Sequence, residues 1–191
     1  MDDPAVCGLV LAAGAGTRYG MPKALVRDPE GVPWIARAVA ALRAGGCGRV
    51  LVALGAGAED AAPLVPAGAQ VVRVPDWAEG LSATLRAGLA AASATPADRL
   101  AVVPVDTPAL PAEAVRRVIA AAPGPDALAQ ATYAGRPGHP VLLGRAHWSP
   151  LAAGLHGDRG ARPYLVRHAA HEVDCADLWP GADLDSPASG R

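Results

Sequence analysis

The chain's start restricts its fold more than anything that follows. Residues 5–12, Ala-Val-Cys-Gly-Leu-Val-Leu-Ala, are apolar throughout, and the run gives way to a loop carrying Gly14, Gly16 and Gly20 that ends on Pro22-Lys23. An uninterrupted apolar run of this length reads as a strand buried on both faces, the pattern of a parallel sheet. The loop leaving the carboxyl end of such a strand is where open α/β sheets bind ligands. Glycines there let backbone N–H groups close around anionic oxygens without Cβ clashes. Arg18 and Lys23 add positive charge to the same loop. The stretch therefore reads as a phosphate cradle of the kind a nucleoside triphosphate needs.

The rest of the chain alternates between the two periods of regular structure. Residues 34–44 place Trp34, Ile35, Ala38, Val39 and Leu42 on one helical face, and Gly45-Gly46 stops that helix. Residues 49–54 and 69–74 read as the next strands, with a short helix or turn over 59–64 between them. Residues 81–92 form a helix with Leu81, Leu85 and Leu89 in register, 100–105 a buried strand, and 111–121 a helix whose first turn suits Pro111. After Pro125 the pattern loosens into candidate strands at 128–133, 140–143 and 172–174, short helices at 147–155 and 161–168, and a frayed tail over 186–191. Strands alternating with helices predict a Rossmann-like three-layer α/β/α fold with a mostly parallel sheet. The late irregular elements read as a substrate-facing flap.

At 191 residues the chain fits one domain, 1–191, and its 51% apolar content suffices for a layered core. Phe is absent, so Val, Leu and Ala must fill that core. A net charge of −1 with no basic stripe argues against nucleic acid as partner and leaves a small anionic ligand. Cys7, Cys47 and Cys175 give neither a disulfide framework nor a CxxC metal pair, and read as small buried residues in a reducing compartment. No apolar run is long enough to span a bilayer and no secretory leader is visible, so no membrane role and a cytoplasmic location are expected.

The opening loop matches neither common phosphate binder. A P-loop sets Lys directly after Gly and follows it with a hydroxyl, whereas Lys23 follows Pro22 and precedes Ala24. The dinucleotide fingerprint fails because Gly14-x-Gly16-x-x-x-Gly20 is one residue too long, and Gly55-Ala56-Gly57 stands after strand two in place of a ribose-binding acid. A dehydrogenase reading is thereby disfavoured.

Five further segments carry chemistry. Val103-Pro104-Val105-Asp106-Thr107-Pro108 puts a carboxylate at the carboxyl end of a buried strand, beside the loop. Mg²⁺ prefers one or two carboxylates plus phosphate oxygens, and Asp106 suits that role; as a turn residue it would instead cap the helix that follows. Asp76 to Arg86 joins strand three to a helix, with Gly80 permitting close backbone approach and Ser82 able to cap the helix or bond a ligand. Gly138-His139-Pro140 holds a histidine in a constrained loop, and Gly157-Asp158-Arg159-Gly160-Ala161-Arg162 offers two guanidinium groups for bidentate phosphate binding, or simply an Asp158–Arg pair on a solvated loop. Asp183-Leu184-Asp185 sets two acids on one face of an extended segment.

Leu11-Ala12-Ala13-Gly14-x-Gly16-x-Arg18-x-Gly20-x-Pro22-Lys23-x-Leu25 resembles the signature of the MobA-like nucleotidyltransferases, which include molybdenum cofactor cytidylyl- and guanylyltransferases. The resemblance runs from about Val6 to Pro187. It implies a nucleotide held by Leu11, Ala12, Ala13, Gly14, Gly16 and Lys23, with Gly80 and Ser82 lining the base pocket. Arg18 and Lys23 become the catalytic charges, Asp106 and Asp185 the Mg²⁺ ligands, and His139, Arg159 and Arg162 the acceptor site. Thr107 stands where the family usually has Gln, which alters contacts to substrate. The Gly-x-Ser, Gly-His-Pro and Gly-Asp-x-Gly-Ala segments resemble the cytidylyltransferase branch. They favour CTP as donor and molybdopterin as acceptor, with a recipient molybdoenzyme as a further partner. The alternatives are transfer from GTP or CTP to another small phosphorylated acceptor, and a nucleotide or cofactor carrier without catalysis.

Overall fold

A computed structural model describes residues 6–184. Seven strands form one sheet in the order β3-β2-β1-β4-β6-β5-β7. Its first half is built from β1 (Val6–Ala12), β2 (Arg49–Leu54), β3 (Ala69–Arg73) and β4 (Arg99–Pro104), all parallel. Along β1 the side chains alternate between two cores. Val6, Val10 and Ala12 join one, packed by α1 (Trp34–Ala44) and α4 (Ala112–Ala121); Cys7 and Leu9 join the other, packed by α3 (Leu81–Ser93), α5 (Arg145–Gly154) and α6 (Arg162–Arg167). A strand buried on both faces needs apolar residues at every position, which is why the opening run is continuous. Helices on both faces of the sheet give the expected three-layer α/β/α architecture. A short helix α2 (Ala58–Ala61) follows β2.

The second half departs from the sequence reading. The segment around Gly138-His139-Pro140 belongs to a nine-residue strand, β6 (Arg136–Gly144), rather than to a loop before a strand at 140–143. β6 runs antiparallel to both β4 and β5 (Leu128–Tyr133), and β7 (His171–Asp174) lies parallel on the outer side of β5. The reversal comes from a two-residue hairpin turn, Ala134 at φ 51° and Gly135 at φ 75°, closed by the Tyr133–Arg136 pair. Two successive positive φ values define the turn whose twist suits a hairpin. Pro137 and Pro140 hide the strand in the sequence, because proline argues against a central strand. Both lie before Val141, where pairing with β4 begins, so neither removes a ladder bond on that side. The consequence is positional: an antiparallel β6 starts at the edge where β1 and β4 end, and brings His139 there.

Candidate active site

The loop after β1 is tied down by its own backbone. Tyr19 and Gly20 both donate their N–H groups to the Gly16 carbonyl at 2.9 Å. Gly16 sits at φ +62°, and a Cβ there would fall 1.9 Å from the Met21 carbonyl oxygen. No other residue fits that position without moving the loop. Gly14 has open space where a side chain would be, and that space is the cleft itself. The Ala13 carbonyl accepts from Ala56 N–H and the Leu11 carbonyl from Val105 N–H, which fixes the loop's root to the ends of β2 and β4.

Across from the loop stands Asp106, just beyond β4. Lys23 Nζ donates to its Oδ2 at 2.7 Å, with both side chains largely shielded from solvent. Asp106 Oδ1 is buried with no hydrogen-bond partner, alone in that respect among the described residues. A carboxylate oxygen withdrawn from water and left unpaired is costly, and a cation would satisfy it. The residues present therefore fit a divalent cation: Asp106 supplies a hard oxygen ligand, and phosphate oxygens complete the shell. Asp185 lies outside the described residues. The chain nonetheless reaches Asp106, because Leu184 N–H donates to the Asp106 carbonyl at 3.0 Å.

His139 faces this pair from β6, its carbonyl held by the Tyr133 hydroxyl at 2.7 Å. Burial pushes the His139 imidazole down to about 4, against the opposing pull of Asp106. Near neutral pH it offers a hydrogen bond, not a charge. Arg18 is exposed on the loop, lines the cleft, and makes no ion pair among the described residues.

The remaining wall comes from the start of α3. Trp77 packs its side chain onto Gly55, where a Cβ would come within 2.4 Å, and lines the cleft with Ala78 and Thr84. Gly80, at φ +106°, lets a strap over residues 155–161 press against the helix: a Cβ on Gly80 would meet Asp158 Oδ1 at 2.3 Å and the Gly157 carbonyl oxygen at 2.8 Å. That strap caps the helix, since Ser82 N–H donates to the Gly157 carbonyl and Arg86 donates to the Leu155 carbonyl at 3.0 Å. Together these groups enclose a cleft of about 610 Å³.

The structure thus gathers Leu11, Ala12, Ala13, Gly14, Gly16, Arg18, Lys23, Gly80, Asp106 and His139 around one opening. It does not bring Ser82 there: that side chain is fully buried, its hydroxyl within 3.4 Å of Arg86, and Gly80 rather than Ser82 is the helix cap. Arg159 also stays outside the cleft and lies against His156, while Arg162 lines the mouth of a second, smaller pocket. Thr107 is buried and donates its hydroxyl to the Pro104 carbonyl at 3.0 Å, which shapes the turn that presents Asp106. The sequence reading missed Trp77, Thr84 and Asp158. Trp77 was findable, as a lone large aromatic between strand three and Gly80; Asp158 was not, because its place depends on a long-range strap.

No helix among the described residues is long and apolar enough to cross a membrane, and none of their His, Cys, Asp and Glu side chains group in threes as a metal cluster. Residues 8–173 match the family described as the MobA-like NTP transferase domain. The chain is 33% identical to a nicotine blue oxidoreductase of Paenarthrobacter nicotinovorans over 97% of its own length and 94% of the relative's. It is 37% identical to a molybdenum cofactor guanylyltransferase of Rhodobacter capsulatus over 62% and 60% of the two chains. The structure of Rv0371c from Mycobacterium tuberculosis H37Rv superposes with a TM-score of 0.80 at 29% identity, covering 97% of this chain and 95% of that one. The same mycobacterial protein has been solved in complex with manganese, matching at a TM-score of 0.70 and 28% identity over 89% and 88% of the chains.

Proposed function

We propose, on the premise that this chain belongs to the MobA-like NTP transferase family, that it transfers a nucleoside monophosphate from an NTP to a phosphorylated acceptor and releases pyrophosphate. The finer reading takes CTP as donor and a molybdopterin-type phosphate as acceptor, with a molybdoenzyme receiving the product. One observation carries the transfer reading: the Lys23–Asp106 pair, with a buried and unpartnered Asp106 Oδ1, set directly across from a glycine loop.

The acceptor's phosphate oxygen attacks the α-phosphorus in line. A new P–O bond forms there as the bond to the β-phosphate bridge breaks, and the electron pair leaves with pyrophosphate. The attacking oxygen is already anionic, so no covalent protein nucleophile is needed. The protein's work is positioning and charge neutralisation. Amides of Gly14 to Gly16 hold the phosphates, Trp77 supplies apolar surface beside the base, and Arg18 and Lys23 balance charge growing on the leaving group. Asp106, with Asp185 as the second ligand, would hold a divalent cation. Such a cation, Mg²⁺ in this reading, supplies further neutralisation of phosphate charge when bound. His139, held neutral, donates or accepts a hydrogen bond at the acceptor's side.

The test is pyrophosphate release with each of the four NTPs and Mg²⁺, with and without molybdopterin. CTP-dependent release that requires the acceptor is expected. Release from GTP instead would move the donor, and no release from any NTP would remove the reading. A second reading is favoured by the 33% identity, across nearly the full length, to a relative named as an oxidoreductase: the same cleft serving a redox reaction on an organic ring compound. Oxidation of a reduced pyridine nucleotide in the presence of a quinonoid dye, with no pyrophosphate released, would select it.

A further inference from the structure

Tyr133 ends β5 buried in the core, and its hydroxyl and its ring reach different partners. The hydroxyl donates to the His139 carbonyl at 2.7 Å. Burial holds that hydroxyl above its ordinary pKa, so it stays protonated and remains a donor. The ring packs against two glycines. A Cβ on Gly138 would fall 2.8 Å from it, and a Cβ on Gly181 2.5 Å from it. Neither position admits a side chain, because the ring already fills the space.

Gly181 belongs to the segment that follows β7, and that segment is fastened at several points. Arg117 of α4 donates to the Asp174 carbonyl at 2.9 Å and to the two carboxylate oxygens of Asp177 at 2.6 and 2.9 Å. A pair this exposed holds little by itself, which gives weight to the packing that comes next. Trp179 meets the Tyr133 ring edge-on, with centroids 5.2 Å apart. Gly181, at φ +76°, then turns the chain against the same ring. From there Leu184 N–H donates to the Asp106 carbonyl at 3.0 Å.

One side chain thus acts on the cleft along two routes. Its hydroxyl holds the strand that carries His139, and its ring holds the segment that ends on the main chain of Asp106. Both of those residues line the cleft, whereas Tyr133 stands behind the wall. A residue that only filled the core would disturb both groups alike when altered. Two routes allow each to be disturbed alone.

We propose that Tyr133 is a positioning residue with two separable roles: its hydroxyl sets His139, and its ring, through residues 179–184, sets Asp106 for a divalent cation. The proposal rests on reading Asp106 as the cation site and His139 as the group at the acceptor's side.

The experiment uses the full chain and three variants. Tyr133→Phe removes the hydroxyl and keeps the ring. Trp179→Ala and Gly181→Ala keep the hydroxyl and loosen or displace the segment. Thermal unfolding checks that each is folded. One readout is the imidazole NMR signal of His139, identified by its loss in His139→Gln. The other is Mn²⁺ affinity by electron paramagnetic resonance, with the metal alone and with CTP or GTP present. Tyr133→Phe is expected to move the His139 signal and leave Mn²⁺ affinity nearly unchanged. Trp179→Ala and Gly181→Ala are expected to leave the signal in place and weaken Mn²⁺ binding by about 10–100-fold, the usual cost of losing an outer contact to a metal ligand. Mn²⁺ bound equally by wild type and all variants, or a His139 signal unmoved in Tyr133→Phe, overturns the proposal and leaves the transfer reading untouched. Both readouts moving together in every variant, in step with lost stability, also overturns it, since Tyr133 would then be ordinary core. A wild type that binds no Mn²⁺, alone or with nucleotide, removes the cation reading of Asp106 and the ring's role with it.

Discussion

The two halves of the sheet present different surfaces to the cleft. From β3 to β4 the strands are parallel, and their shared edge presents backbone amides and fixed charges: Gly14, Gly16, Arg18, Lys23 and Asp106. From β6 to β7 the sheet is built on a hairpin, and beside the cleft its face forms one wall of a mostly apolar slot of about 280 Å³, opposite Leu85 of α3 and Leu165 of α6. The first half suits a partner whose geometry is constant, because a triphosphate makes the same demands whatever base it carries. The second suits one recognised by shape and desolvation. Irregular topology does not mean loose packing, since Ala129, Ala131, Leu142 and Leu143 are as fully buried as Leu9 or Leu51.

The contrast predicts where turnover can be broken outright. Lys23→Ala and Asp106→Ala each remove a preorganised charge, and each is expected to lower kcat by ~10²–10³-fold with unchanged circular dichroism. Steady-state pyrophosphate release measures this. A rate within a few fold of wild type in either variant would take that residue out of the machinery.

If both halves are equally well packed, equivalent truncations should cost the same. Leu51→Ala on β2 and Leu142→Ala on β6 each empty a site with no solvent exposure, and each is expected to cost about 2–5 kcal/mol. Urea unfolding compares them directly. A clearly smaller loss at Leu142 would show that the hairpin half yields and refills the gap, and the slot would then be more plastic than rigid.

A pH scan probes the buried thiols of the first half through a single variant, since burial also raises the Cys175 thiol and the Tyr133 hydroxyl of the second half. Burial raises the Cys7 thiol to about 11 and the Cys47 thiol to about 12, from the ordinary thiol value of 9.0, and both lie in the first half of the molecule. Below pH 9 both folded and unfolded chains keep these protons. Above it the unfolded chain releases them and the folded one does not, so stability falls as pH rises from about 9 toward 12. The slope approaches about 1.4 kcal/mol per pH unit for each thiol. Melting midpoints between pH 8 and 10.5 should decline in wild type and decline less steeply in Cys47→Ala, whatever the absolute stability of that variant. An unchanged slope would assign the decline to other groups.

The same division explains how much was legible beforehand. The cradle could be read from the chain because its demands are local: a buried strand needs a continuous apolar run, and Gly16 must be glycine because the Met21 carbonyl occupies the place of its Cβ. Lys23 and Asp106 were each visible, although their pairing across 83 residues was not. β6 was half hidden by two prolines that its antiparallel register makes harmless. The Ser82 side chain lies away from the cleft, because the Gly-x-Ser pattern also satisfies a buried first turn, where the strap's Gly157 carbonyl accepts the Ser82 N–H. The slot had no signature at all. Its leucines and valines obey ordinary core periodicity, so nothing in their spacing marks an opening between the layers.

The smallest predicted effect tests the border between the halves. Thr107 stands where the family motif usually has Gln, and the sequence reading expects that exchange to alter contacts with substrate. In the structure the hydroxyl faces inward, donates to the Pro104 carbonyl, and holds the turn after β4. Thr107→Val keeps the shape and removes the donor, leaving a carbonyl short of one partner. The expected cost is about 1 kcal/mol of stability, with KM for both substrates within twofold of wild type. A tenfold rise in KM with stability unchanged would mean that the hydroxyl turns outward when substrate binds. The turn presenting Asp106 would then belong to substrate recognition as well as to the scaffold, and the line between a fixed nucleotide half and an adaptable second half would have to move past β4.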